Sequence, residues 1–150
     1  MADATDALLA MFETEMSLAK QAEDQRATFT NLVLIIASVI LGLIPNSGGL
    51  IRANLPMTIS LIVLGLYGAL VSQKLYERHR FHYGRARYYR RKINELFPDA
   101  EIRKLIDDAE EDHKKRFKRL YRVSLNRLWT LLHLAIGGLG MIFSILVLMS

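Results

Sequence analysis

The sequence predicts an all-α membrane protein: three transmembrane helices, with an antiparallel helical hairpin outside the membrane between the second and third. Three observations predict this. First, 51% of the 150 residues are hydrophobic and 23% are charged, and the two classes occupy separate stretches of chain, as in a membrane protein with a polar appendage. Second, apolar runs over 28–44, 55–72 and 128–149 approach or meet the roughly 17–25 residues that cross a hydrocarbon core. Third, the charged stretch between the last two runs carries apolar and aromatic residues in steps of three and four. That is the period of a narrow helical packing seam.

Residues 1–27 read as an amphipathic helix on the cytoplasmic side. Leu8, Phe12, Met16 and Ala19 form one stripe, with Leu9 beside it, and Asp6, Glu13, Lys20, Glu23 and Asp24 lie largely elsewhere. This stripe is expected to pack on the hairpin. Its acidic face argues against lying on anionic lipid. Nothing breaks a helix between Ala7 and Ile44, so the segment is expected to run straight into the first span.

Residues 28–72 form a tight transmembrane pair. Pro45-Asn46-Ser47-Gly48-Gly49 reads as a turn. Pro56 opens the second span at a position where a helix tolerates proline. Small residues four apart recur: Ser38 with Gly42, Gly65 with Ala69, Gly68 with Ser72, and Gly140 with Ser144 in the third run. Such pairs let helices approach closely in lipid.

Residues 73–127 form the basic hairpin. Pro98 disfavours helix before it, and Asp99 is expected to cap the helix after it. Folded there, His82 would meet Phe117, Ala86 would meet His113, and Tyr89 would meet Ala109. Ile93 would meet Ile106 and Leu96 would meet Ile102. His79, His82, Tyr89, His113 and Phe117 are the polar and aromatic residues of this seam. The second hairpin helix is expected to continue without a break into the third span, residues 128–150.

Lysine and arginine set the orientation. Residues 74–127 hold seventeen bases against nine acids, residues 1–27 hold six acids against two bases, and Arg52 is the only other charge. The N-terminus and the hairpin are therefore expected in the cytoplasm, with the 45–54 turn and the C-terminus outside. Trp129 falls where an interfacial aromatic belongs. A cleavable signal peptide is not expected, because the first apolar run begins late and follows an acidic segment.

No enzyme signature stands out: there is no phosphate-binding glycine loop and no GxSxG. With no cysteine, disulfides and thiolate metal sites are excluded. His79, His82 and His113, joined by Glu77 or Asp112, would be the residues of a metal-dependent alternative, but their seam positions favour a packing role. No cofactor and no metal is expected. His133 lies about 9 Å along the third span from its start, where an ionisable residue faces protein or water rather than lipid.

Two surfaces remain for function. Thr28, Asn31, Ser38 and Gly42 recur on one face of the first span and are candidates to line a pore in an oligomer. Arg85, Arg87, Arg90, Arg91 and Lys92, interleaved with tyrosines, and Lys114, Lys115 and Arg116 form basic clusters. They suit lipid headgroups, at about 1 kcal/mol each near the surface, or a soluble protein partner. Nucleic acid ranks below both.

The tight pair 28–72 followed by Lys74-Leu-Tyr-Glu-Arg-His-Arg-Phe-His-Tyr-Gly-Arg-Ala-Arg-Tyr-Tyr-Arg-Arg-Lys92 resembles the layout of the SLATT family of small bacterial membrane proteins. The likeness covers roughly residues 28–97, and the third span is an addition to that family's two-span core. The resemblance implies an oligomeric inner-membrane effector of anti-phage defence, acting on the membrane when a cytosolic defence protein signals through the hairpin. The alternative is a non-conducting scaffold that recruits a soluble complex.

Overall fold

The computed structural model describes residues 2–149. All their regular structure is helical: α1 (Ala2–Asn46), α2 (Leu55–Leu96), α3 (Ile102–Arg116) and α4 (Leu125–Met149), joined by short 3₁₀ turns. Three of these, α1, α2 and α4, are long and apolar enough to cross a membrane.

The lengths follow from composition. Before Pro45, α1 contains one glycine and no proline. The first glycines with positive φ, Gly48 at 97° and Gly49 at 86°, end it; only glycine adopts such angles without strain. Asn54, buried in the following turn, accepts from Ser47 Oγ at 2.9 Å and donates to the Gly49 carbonyl. These bonds add to the backbone pairing of the turn, in which Gly49 N–H donates to the Ile44 carbonyl and Asn54 N–H to the Ile51 carbonyl. At 1.5 Å per residue, α1 is about 68 Å long and α2 about 63 Å, each roughly twice a hydrocarbon core.

The chain forms two compact units, Asp24–Tyr76 with Leu125–Ser150, and Met1–Glu23 with Glu77–Ser124. The first is a three-helix bundle with interior residues at heptad spacing. They are Arg26, Thr30, Val33, Ala37 and Ile44 on α1, and Thr58, Leu61, Gly65, Ala69 and Ser72 on α2. On α4 they are His133, Gly137, Gly140, Ser144 and Val147. Small residues allow the close approach. A Cβ added at Gly65 would sit 2.6 Å from Gly137 Cα, and one at Gly140 would sit 2.8 Å from Ile62 N. Polar groups join the seam: Thr58 donates to the Leu55 carbonyl at 3.0 Å and accepts from Ser144 at 2.8 Å. The outward faces stay apolar, with Ile35 62%, Val63 61%, Leu70 68% and Leu131 60% exposed, as lipid contact demands.

In the second unit, α1 packs on α2. Glu15 is buried, accepting from His82 Nδ1 at 2.7 Å and pairing with Arg85 at 3.1 Å. One turn on, His79 Nδ1 donates to the Ala19 carbonyl at 3.1 Å. The interior residues of α1 here are Glu15, Ala19 and Ala22. Met16, expected in the stripe, is exposed, because the buried ladder runs through the residue before it.

Two further expectations change. Asp99 does not cap α3. It is spent in the 3₁₀ turn Pro98–Ala100, and Glu101, at φ 45°, precedes α3 without a side-chain cap. No described residue of α3 is buried, and its Ile106 lines a cavity together with Tyr88, Arg90 and Asn94 of α2. His82 pairs with Glu15 of α1, and the His113 ring lies 5.0 Å from that of Phe117 and 6.2 Å from that of Tyr121. Finally, α3 does not run on into α4. It stops at Arg116, and Leu120–Arg122 turns before Val123 extends. Lys114, Lys115 and Arg116 suit a helix C-terminus, where the dipole favours cations. Ser124 stands where an N-cap is preferred before Leu125.

Candidate functional site

Two places carry the polar and charged groups that packing does not explain. The first is α1 in the three-helix bundle. Each member of Thr28, Asn31, Ser38 and Gly42 is exposed. Thr28 lies two residues from both Arg26 and Thr30 of the buried ladder, hence about 200° around the helix from them. Asn31 stands in the same relation to Val33. Of the four small-residue pairs, the three on α2 and α4 are consumed inside the bundle. Only Ser38 with Gly42 faces outward, and a Cβ at Gly42 would meet nothing within 4 Å. The hydroxyls of Thr28 and Ser38 donate to their own helix, to the Asp24 carbonyl at 2.9 Å and the Leu34 carbonyl at 2.8 Å. They need no partner in lipid. The Asn31 amide, with two donors and an acceptor, is therefore the strongest polar feature of that face.

Behind this face is a centre that sequence reading missed. Arg26 is 1% exposed. Its Nε donates to Ser72 Oγ at 2.8 Å and its Nη2 to Asn126 Oδ1 at 2.7 Å. Its guanidinium lies 5.5 Å from the Tyr76 ring centre and 5.1 Å from that of Trp129. Asn126 in turn donates to Gln73 at 3.4 Å, and Gln73 donates to Thr130. The fork and the two ring faces are what arginine, unlike lysine, can use together. One signal was available: Arg26 stands in heptad register with Ala19, Ala22, Val33 and Ala37. Trp129, assigned to the interface, serves here as a wall of the arginine site. His133 is fully buried and hydrogen-bonds Thr30 at 3.2 Å, with its ring against Gly68. It joins α1 to α4 across the bundle.

The second place is the basic surface, and the structure divides it by residue type. Four of the lysines are neutralised locally. Lys92 pairs with Glu95 at 2.7 Å, Lys104 with Glu101 at 3.1 Å, Lys114 with Glu110 at 2.9 Å, and Lys115 with Glu111 at 2.7 Å. These hydrogen bonds hold Glu95, Glu110 and Glu111 below the usual carboxylate range, and Tyr121 adds a donor to Glu110. Lys114 is correspondingly raised, first by its bond to Glu110 and then by Tyr121. Arg85 is held by Glu15, and Arg116 ends α3 in the open. Arg87, Arg90 and Arg91 of α2 instead line a cavity of about 640 Å³, joined there by Arg103 of α3. Arg103 escaped the sequence reading because it stands outside both basic runs.

The seam histidines do not converge. His79 and His82 turn to α1 and His113 to Phe117, and among the described residues no group of three histidine or acidic side chains is placed to hold a metal ion. Tyr89 is half-buried on α2.

Compared with known proteins, the chain matches no family model, no curated protein and no solved structure.

Proposed function

We propose that this chain is an inner-membrane protein that self-associates through the outward face of α1 and passes ions or small solutes along it, as an effector of bacterial anti-phage defence triggered from its basic cytoplasmic region. The observation that carries the reading is the placement of Asn31, Ser38 and Gly42 on the outside of the bundle. A polar amide there needs water, or a second copy, to hydrogen-bond. Three spans whose seams are already closed by Gly65, Gly137 and Gly140 leave no lumen of their own, so a pathway requires several copies. The SLATT-like layout supports the defence role, and the asymmetry of lysine and arginine supports a cytoplasmic N-terminus.

The test is flux of potassium and of a small dye across liposomes holding the purified protein, beside its oligomeric mass in detergent. Asn31→Leu with Ser38→Leu is expected to abolish flux while the oligomer persists, and Asn31→Leu alone to account for most of the loss. Unchanged flux would remove the lining role.

A second reading is favoured by α3 and the turn after it. Leu105 is 64% and Leu120 69% exposed, beside half-exposed Tyr121 and Val123. Apolar side chains on a charged helix suit a protein partner. A scaffold predicts a stoichiometric complex with a soluble protein and no flux, with charge reversal at Arg90 and Arg91 breaking the complex.

A further inference from the structure

The geometry points to a binding site for a multiply phosphorylated small molecule, or the like-charged headgroup of a lipid, in the arginine-lined cavity formed by α2 and α3. The inference concerns ligand binding alone and stands whether or not the chain conducts.

The cavity measures about 640 Å³, inside the roughly 300–1,000 Å³ range of small-molecule sites. A single phosphate would leave most of it empty. Arg87, Arg90 and Arg91 approach from α2 and Arg103 from α3, with Asp107 as the one acid in the lining. The lining therefore carries a net charge of three positive units. Asp107 pairs with Arg103 at 3.8 Å and leaves Arg87, Arg90 and Arg91 uncompensated within the lining.

The choice of residue carries the argument further than the charge does. Lys92, Lys104, Lys114 and Lys115 of this unit form short local pairs with glutamates three or four residues away, and Lys118 lies outside the cavity lining. The cations facing the cavity are all arginines. Charge that only enforced topology or repelled neighbours would have no reason to sort this way. A guanidinium offers a planar fork that meets two phosphate oxygens at once, which an ammonium cannot.

Two neutral groups complete the site. Tyr88 carries the Arg91 guanidinium 5.0 Å from its ring centre, a cation–π contact that places an aromatic ring beside the arginines. Asn94 adds an amide whose buried Oδ1 has no hydrogen-bond partner. Clustered phosphates beside a planar or hydroxylated group fit this lining best. A soluble nucleotide and a phosphate-rich lipid headgroup share that chemistry.

The experiment uses the full chain in nanodiscs of phosphatidylcholine, titrated with ATP and with inorganic phosphate by calorimetry. A second arm compares binding of the full chain in detergent to phosphatidylcholine vesicles with and without cardiolipin. Saturable binding is expected in at least one arm, with ATP much tighter than inorganic phosphate if the soluble source is right. Losing a charge-assisted fork on each helix, in Arg90→Ala with Arg103→Ala, should weaken binding at least about tenfold. Arg90→Lys with Arg103→Lys, which keeps the charge, should recover only part of it. Lys114→Ala with Lys115→Ala removes equal charge from the self-paired surface and should change affinity less than about twofold. Equal weakening by the arginine and lysine pairs would overturn the site in favour of diffuse attraction, as would an absence of saturable binding in both arms. Helical content of each variant by circular dichroism separates lost binding from lost folding.

Discussion

Arg26 shows how much a single side chain can settle. Buried to 1%, it satisfies its donors on Ser72 and Asn126 and places its plane near Tyr76 and Trp129. Arg26→Lys keeps the charge but loses the fork and the flat contact. It is expected to destabilise the bundle by about 1–3 kcal/mol, the cost of unmet buried hydrogen bonds, read as a lowered Tm in detergent. The glycines give a sharper contrast. Gly65→Ala would press a methyl into the Gly137 backbone, which has no side chain to move aside, and should cost about 1–3 kcal/mol or more. Gly138→Ala meets nothing within 4 Å and should be neutral or stabilising by up to about 1 kcal/mol through helix propensity. Parallel thermal melts of the two variants decide whether α2 and α4 meet backbone to backbone. Nothing local distinguishes Gly65 from Gly138. Each is a glycine in an apolar run, and only the register of the partner helix separates them.

At the scale of elements, α3 differs from the rest. It has no buried described residue, so its helix rests on local pairs such as Lys114 with Glu110 and Lys115 with Glu111 rather than on a core. Both carboxylates are held below the ordinary glutamate value of about 4.3. A depressed folded pKa adds stability that is complete above the unfolded value and is lost as pH falls through the folded one. Hydrogen-exchange protection across residues 102–116, corrected for intrinsic rate, should therefore fall as pH drops below about 4.3. The bundle helices should hold over the same range. Glu110→Gln with Glu111→Gln should flatten the pH dependence of α3. Steps of three and four over residues 102–124 mark a face, but a face is not a partner. Glu15, more than sixty residues away in sequence, takes His82 because a buried carboxylate needs donors.

At the scale of the whole molecule, the governing quantities are the three apolar helices and the uneven distribution of charge. Orientation is open to direct test because the chain has no cysteine. Single substitutions Ala53→Cys and Lys118→Cys should react on opposite sides with a membrane-impermeant maleimide. In intact spheroplasts Ala53→Cys is labelled and Lys118→Cys is protected until the membrane is opened. The reverse pattern would invert the topology and move the basic region outside.

Sequence alone determined that the chain is helical, that three of its helices can cross a membrane, and that its bases gather in one segment. Hydropathy, the helical period and the punctuation by Pro45, Gly48, Gly49 and Pro98 are local properties, legible within a turn or two. Tertiary structure decided what those properties could not. It turned the Ser38 and Gly42 face outward while Gly65, Gly68 and Gly140 were spent inside. It placed Arg26 against residues 46 and 100 positions away, and it brought Arg103 to the same cavity as Arg87, Arg90 and Arg91. Each outcome depends on which faces of distant helices meet, and a helical pattern leaves that open because every apolar stripe can close against more than one other.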